Sequence, residues 1–206
     1  MLFGLLAVSI ALSAGDPVDA ALESFRRLEA YSVTLRAESD RTEVIRYFYK
    51  KPGYIRMEFE EPHRGAVLIY DPLEREVLLR PFRFLQSFKM RLEPEDRLIR
   101  SSRGHTVDES SIGTLLENVS ELKEDGSLEV LGEEDVDGKK ALLVEVEGRD
   151  GREVDGINMY RLWLDQETRL PVKVEAYDAG GKLVERVRMD GLVVDPEFPP
   201  DFFSLD

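Results

Sequence analysis

The stretch that most constrains the fold is "LWLDQETRLPVKVEAYDAGGKLVERVRMD", residues 162–190. Apolar and polar residues alternate along it, and turn-forming residues interrupt the alternation at 165–168 and 179–181. Alternation with a period of two is typical of strands that bury one face, and short turns join antiparallel neighbours. The segment therefore predicts three consecutive antiparallel strands whose apolar face must be buried.

Alternation and turns continue through most of the remaining chain. Turn signals lie at 51–53, at 71–72 and at Asp137-Gly138, the last being a strong two-residue hairpin signal. We expect nine to eleven strands and two or three helices. No repeat or linker divides them, so residues 15–206 are predicted to form one domain of the α+β class. So many twisted antiparallel strands do not stay flat, and a large curved sheet is expected.

Two segments have helical rather than strand periodicity. The first begins at Asp16, a residue suited to cap a helix, followed by Pro17 in the first turn. The second lies within "HTVDESSIGTLLENVSEL", where Thr106 or Asp108 is the expected cap. Gly113 weakens the helical propensity of this second segment.

The charge balance limits the possible partners. The formal net charge is −14 and the isoelectric point is near 4.7. Binding to nucleic acid requires clustered Lys and Arg to neutralise phosphates, so no nucleic-acid partner is expected. The same global charge argues against electrostatic docking to anionic lipid.

The N-terminus indicates export. Residues 1–14, "MLFGLLAVSIALSA", are uncharged and largely apolar, too short to span a bilayer, and end in small residues. A secretory signal peptide over 1–14 is the favoured interpretation, with a buried helix as the alternative. The chain contains no cysteine, which excludes disulfides, thiol catalysis and a lipid-modified N-terminal cysteine. We expect a periplasmic protein that derives its stability from its core.

The sequence offers no catalytic or metal-binding motif. His63 and His105 are far apart, and neither lies in an HExxH or HxH spacing. Phosphate-binding loops and nucleophile elbows are absent as well, and the many carboxylates are expected on a solvated surface. The chain is therefore predicted not to be an enzyme and to use no metal or other cofactor.

Three features permit two interpretations each. In "RYFYKKPGYIRMEF" aromatic residues fall on both faces of a hairpin, which fits either a cavity wall or an ordinary two-sided core. Arg56 lies between two apolar strand residues, either at the surface or bonded to backbone carbonyls across a barrel mouth. The polar stretch "SSRGHTVDESSIG" fits either a lid or the capping of the helix that follows.

Three of these stretches together resemble a known group of proteins. "YKKPGYIRMEF", "IYDPLEREVLLRP" and "LWLDQETRLPVKVEAYDAGGKLVERVRMDGLVVDPEFPPDFF" resemble the LolA/LolB/RseB superfamily of periplasmic lipoprotein-binding proteins, over roughly residues 20–206. The resemblance implies an unclosed antiparallel β-barrel, covering helices and an apolar cavity between them. In carrier members that cavity accepts acyl chains. Arg56 matches by position the strand arginine that helps to hold the lid of the carrier.

Strand alternation supplies the candidate cavity residues, because the resemblance does not identify them one by one. With Arg56, the candidate ligand-binding residues are Ile55, Met57, Phe59, Val67, Ile69, Met159 and Trp163. The expected function is a monomeric periplasmic carrier that holds the acyl chains of lipoproteins or other lipids and contacts membranes transiently. The alternative is an RseB-like sensor that binds a protein partner in the cell envelope.

Overall fold

A computed structural model describes residues 15–38, 42–82, 88–101 and 103–205. These residues form two α-helices and eleven strands, with the bounds that follow. They are α1 Pro17–Arg27, α2 Ile112–Glu124, β1 Ala30–Glu38, β2 Thr42–Lys50, β3 Tyr54–Glu61, β4 Val67–Asp71, β5 Glu76–Arg80, β6 Met90–Leu92, β7 Gly126–Val136, β8 Lys139–Gly148, β9 Met159–Asp165, β10 Pro171–Tyr177 and β11 Leu183–Val194.

All eleven strands belong to one antiparallel sheet. Their order is β6-β5-β4-β3-β2-β1-β11-β10-β9-β8-β7, so β6 and β7 are the two edges. The pairing of β1 with β11 joins the two halves of the chain, with Leu35 opposite Met189. The two edge strands do not pair with each other, and the sheet is an unclosed barrel with helices on its concave side. The predicted α+β class and curved antiparallel sheet are confirmed.

The predicted turns lie where the sequence placed them. Asp137 and Gly138 connect β7 to β8, with φ angles of 53° and 80°. Positive φ at both central residues is the geometry that favours Asp-Gly in two-residue hairpins. The turns at 51–53 and 71–72 likewise join β2 to β3 and β4 to β5.

The helix starts follow local capping chemistry. The Asp16 carboxylate accepts hydrogen bonds from the backbone N–H groups of Val18 and Asp19, as expected for the cap of α1. The cap predicted for α2 is wrong, because Ser111 caps this helix. Its Oγ accepts a hydrogen bond from the backbone N–H of Thr114. Thr106 instead precedes a short 3₁₀ turn, Val107–Glu109, that ends before α2 begins.

The helices pack against each other and against the concave face of the sheet. Phe25 of α1 contacts Tyr31 and Tyr49 of the sheet, with ring centroids 6.4 and 5.6 Å away. Lys123 of α2 forms ion pairs with Asp16 and Asp19 at the start of α1. The main core lies between the helices and the sheet. Its most deeply buried members include Val18, Ala21, Leu116, Val119, Leu122, Val144, Ile157 and Leu162.

The C-terminal segment covers part of the convex face. Phe202 packs edge-on against Phe48 of β2, with ring centroids 4.9 Å apart. Leu205 and Phe203 form a small cluster with Val67 and Ile69 of β4. A sheet with this cover needs apolar residues on both faces, which explains the aromatic residues on both sides of β2.

One sequence prediction, the signal peptide at 1–14, falls outside the described residues. Within the ranges that the structure describes, no helix is both long and apolar enough to cross a membrane.

Candidate functional site

A cavity of about 650 Å³ lies on the concave side of the sheet, beneath the first turn of α2. The inward-facing positions of seven strands supply an apolar wall. That wall comprises Leu35, Ile45, Met57, Phe59, Leu68, Leu79, Val174, Ala176, Val187 and Met189. The volume is within the range of roughly 300–1,000 Å³ that is usual for small-molecule sites.

The cavity exists because the helices cover only part of the concave face. Helix α2 packs closely on β7 and β8 and against α1, and neither helix packs as closely on β3, β4 or β5. Inward side chains such as Met57 and Leu68 therefore face an open volume instead of a packed partner. Phe82 and Leu98 line the same cavity and are 47% and 61% exposed, so the cavity opens to solvent beside them.

Two tyrosines on the cavity floor hold the start of α2. The Tyr31 hydroxyl accepts a hydrogen bond from the backbone N–H of Ile112 at 3.1 Å. The Tyr47 hydroxyl lies 3.2 Å from the Ser110 Oγ. Burial raises the pKa of both tyrosines, so their hydroxyls stay protonated at neutral pH. These contacts fix the height of the helix above the sheet.

Charged residues bridge one side of the cavity. The His105 Nε2 lies 2.6 Å from the Asp155 carboxylate. The Arg103 guanidinium donates to the Asp155 carbonyl at 2.8 Å and lies 3.7 Å from the Glu185 carboxylate. Burial raises the pKa of the nearby Tyr160 to about 12. The segment before α2 is therefore tied to β11 and to the loop that precedes β9. Of the two interpretations of "SSRGHTVDESSIG", the helix cap is confirmed, because Ser111 caps α2, and a lid stays a prediction.

The charge of Glu185 should make stability depend on pH. Burial raises its pKa, Arg103 and His105 oppose the shift, and Glu43 adds to it. The native state holds this proton more tightly than the unfolded chain, so stability is lost as the pH rises from 4.5 through the raised native pKa. We expect Glu185→Gln to raise the melting temperature more at pH 8 than at pH 4. An equal change at both pH values would contradict this expectation.

The structure places three of the predicted cavity residues on the concave face. Met57 and Phe59 line the cavity. Ile55 shares their face of β3 but is only 1% exposed and packs into the main core beside the cavity. Contact of Met57 and Phe59 with a ligand remains a prediction.

Four other candidates lie on the convex face, and their predicted place in the cavity wall is corrected. Val67 and Ile69 pack under the C-terminal segment, because Leu68 takes the inward position between them. Trp163 donates from its indole N–H to Glu134 at 2.7 Å and belongs to a separate small cluster. Met159 precedes the inward-facing Tyr160, so the alternation of β9 points it outward.

Arg56 also lies on the convex face, where it binds a backbone carbonyl as one interpretation anticipated. Its Nη1 donates to the Phe202 carbonyl oxygen at 2.8 Å, and its guanidinium lies 4.8 Å from the centroid of the Phe202 ring. A second bond, from Nε, reaches Glu58. Arg56 therefore clamps the C-terminal segment and not a lid over the cavity, because neighbours on a strand face opposite ways and Met57 points inward.

Sequence reasoning missed most of the cavity wall. The inward residues of β1, β10 and β11 include Leu35, Val174 and Val187, and none was a candidate. Alternation marked all three as apolar strand positions, but it carried no signal of which strands lie beneath a helix. Among the residues that the structure describes, no cluster of His, Asp or Glu has the arrangement of a metal site.

The chain folds as an unclosed antiparallel β-barrel with helices on its concave side. This is the fold that its resemblance to the LolA/LolB/RseB superfamily implied. More particularly, the chain belongs to the family described as Protein of unknown function (DUF1571), whose model matches residues 22–205. No curated protein sequence matches the chain.

Solved structures show the same fold at low sequence identity. The lipoprotein LppX of Mycobacterium tuberculosis is 9% identical, with a TM-score of 0.55 over 89% of this chain and 95% of that one. MucB in the MucA/MucB complex of Pseudomonas aeruginosa is 20% identical, with a TM-score of 0.51 over 92% of this chain. The chain spans 61% of that protein. An uncharacterised conserved protein of Thermus thermophilus is 13% identical, with a TM-score of 0.51 over 90% and 93% of the two chains.

Proposed function

We propose that this protein binds the acyl chains of lipoproteins or other lipids in the cavity beneath α2 and carries them without chemical change. The observation that carries the proposal is the cavity of about 650 Å³ with an apolar wall that spans seven strands. Polar groups of the lining include Arg103 and Glu185 on the bridged side and Ser110 beneath the start of α2. An elongated ligand with an apolar chain and a polar end fits this combination of an apolar wall and polar groups.

The energetics of acyl transfer match such a cavity. Each methylene removed from water contributes about 0.8 kcal/mol, so a chain of about fourteen carbons is worth on the order of 10 kcal/mol. A carrier must offer comparable burial and must then release its cargo. An open apolar volume meets both demands, since a filled core has no room and a covalent site would slow release.

We further propose that the protein works as a monomer in the periplasm and that residues 1–14 are its signal peptide. The neighbours support an envelope location, because one is a lipoprotein and another is solved with its partner MucA. The MucB similarity also supports a second candidate function, in which the protein binds a protein partner and uses the cavity as a sensor.

A cavity-filling substitution tests the lipid-binding proposal. Val187 lines the cavity on β11 and is partly exposed, so a tryptophan at this position projects into the open volume. We expect Val187→Trp to weaken the binding of a fluorescent long-chain fatty acid about ten-fold or more, because the indole displaces part of the guest. Titration of the probe, followed by displacement with palmitate, measures the effect.

Val193→Trp is the matched control. It makes the same change on the same strand at a residue that is 50% exposed and does not line the cavity, so binding should be unchanged. Equal affinity of wild type and Val187→Trp, or failure of the delipidated wild type to bind the probe, would contradict acyl binding here. Emission from the native Trp163 should not respond, because this residue lies on the convex face.

A further inference from the structure

The cavity mouth carries exposed apolar side chains. Phe82, Phe88 and Leu98 are 47%, 50% and 61% exposed. Because β5 and β6 pair with Leu79 opposite Met90, Phe82 and Phe88 flank the same end of this hairpin. Phe82 and Leu98 both line the cavity, which brings Leu98 to the same rim. We call Phe82, Phe88 and Leu98 the apolar rim.

Basic residues surround the apolar rim in an otherwise acidic chain. Residues 88–105 contain five Lys or Arg against three Asp or Glu, a net charge of +2, whereas the chain as a whole carries −14. Arg97 and Arg100 flank Leu98 and are exposed, and neither has a carboxylate partner among the described residues. The rim therefore combines exposed apolar groups with two exposed arginines, Arg97 and Arg100, that form no ion pair with a described residue, whereas Arg91 pairs with Glu76 and Arg103 with Asp155 and Glu185.

Part of the acidic surplus lies at the other edge of the sheet. Strand β7 carries Glu129, Glu133, Glu134 and Asp135 without any basic residue. It forms the edge opposite to β6 in the strand order. Salt screens exposed charges beyond about 8 Å at physiological ionic strength, so a surface that meets the rim is influenced mainly by the charges around it. The global charge therefore does not decide what binds at the rim.

We propose that the apolar rim and its arginines dock the cavity mouth onto an anionic phospholipid bilayer. Arginines attract anionic headgroups, while phenylalanine and leucine side chains enter the interfacial layer. In this orientation an acyl chain passes between bilayer and cavity without crossing water. The inference rests on the proposed function for its purpose, but vesicle binding itself does not require a filled cavity.

Co-sedimentation with vesicles tests the docking. We expect the wild-type protein to bind phosphatidylcholine vesicles containing about 30% phosphatidylglycerol at low salt and to dissociate at about 0.5 M salt. Phe88→Ser should weaken this binding about ten-fold and Arg97→Gln about five-fold. Neither residue lines the cavity, so both variants should bind the fatty-acid probe like wild type.

Two controls match these substitutions on other surfaces. Leu131→Ser changes an apolar residue that is 43% exposed on β7, and Arg27→Gln removes an exposed arginine at the end of α1. Both should bind vesicles like wild type. Equal binding to neutral and anionic vesicles, no binding to either, or equal losses in variants and controls would overturn the docking proposal. Vesicle binding by a protein that fails to bind the fatty-acid probe would retain the docking and overturn the acyl carrier.

Discussion

Replacing Gly113 with valine is expected to lower the free energy of unfolding by about 3 kcal/mol, because the Phe25 ring of α1 occupies the space that a side chain at this position needs. A Cβ at position 113 would lie 2.3 Å from the Cε1 and 2.6 Å from the Cζ of Phe25 in α1. The ring cannot easily withdraw, because it also contacts Tyr31 and Tyr49. Chemical denaturation of both proteins measures the loss.

Two further variants separate this steric effect from the helix propensity of valine. Glu117→Val places the same residue at an exposed position of α2 and should cost no more than about 0.5 kcal/mol. In the background Phe25→Ala, where the ring is absent, Gly113→Val should cost much less than in the wild type. A full loss in that background would show that the contact with Phe25 is not the cause.

The second large effect is expected at Glu175, a buried carboxylate on the convex face. Burial by itself would raise its pKa, but bonds from Tyr177, Lys173 and Arg186 outweigh it and lower the pKa to about 2. The three donors lie 2.6, 2.9 and 2.9 Å from its oxygens. Because the folded-state pKa lies below the unfolded value of 4.5, this stabilisation is complete above pH 4.5 and is lost as the pH falls through about 2.

Glu175→Gln should therefore lower the free energy of unfolding by about 3 kcal/mol at pH 7 and by far less near pH 2. Glu145→Gln is the control, since among the described residues Glu145 has one ion pair, with the half-exposed Arg161, and its replacement should cost less than about 1 kcal/mol. Denaturation curves at several pH values measure both variants. A loss for Glu175→Gln that is the same at pH 2 and pH 7 would contradict the assigned role of its charge.

These predictions separate the two faces of the sheet. Gly113 acts through the helix packing on the concave side, whose first turn also roofs the cavity. Glu175 acts through a network on the convex side, between β10 and β11. We therefore expect Glu175→Gln to leave fatty-acid binding unchanged at pH 7 under conditions where the variant is folded.

Local chemistry accounts for the part of the fold that was predictable. The alternation of β3 and the turn at Asp137-Gly138 depend on residues close in sequence, and the structure has both as predicted. The cap of α2 was misplaced because Thr106 and Ser111 are both good caps, and the chain uses each for a different turn.

The candidate site was harder to predict. Leu68 and Val67 are neighbouring apolar residues, and alternation assigns them to opposite faces without stating which face is concave. On β4 the prediction chose the wrong set, because the C-terminal segment buries Val67 and Ile69 as thoroughly as a core would. Val67 and Ile69 are apolar because the C-terminal segment, more than a hundred residues away in the sequence, packs over them.

The sequence by itself determined that the chain forms a long antiparallel sheet with two or three helices, since side-chain period, turn residues and caps act between neighbours. It also divided each strand into two sets of residues that face opposite ways. The tertiary structure alone decided which set is concave and where α2 leaves a volume open. Those choices depend on where distant segments pack, namely α2 above β7 and β8 and the C-terminal residues beneath β2 to β4.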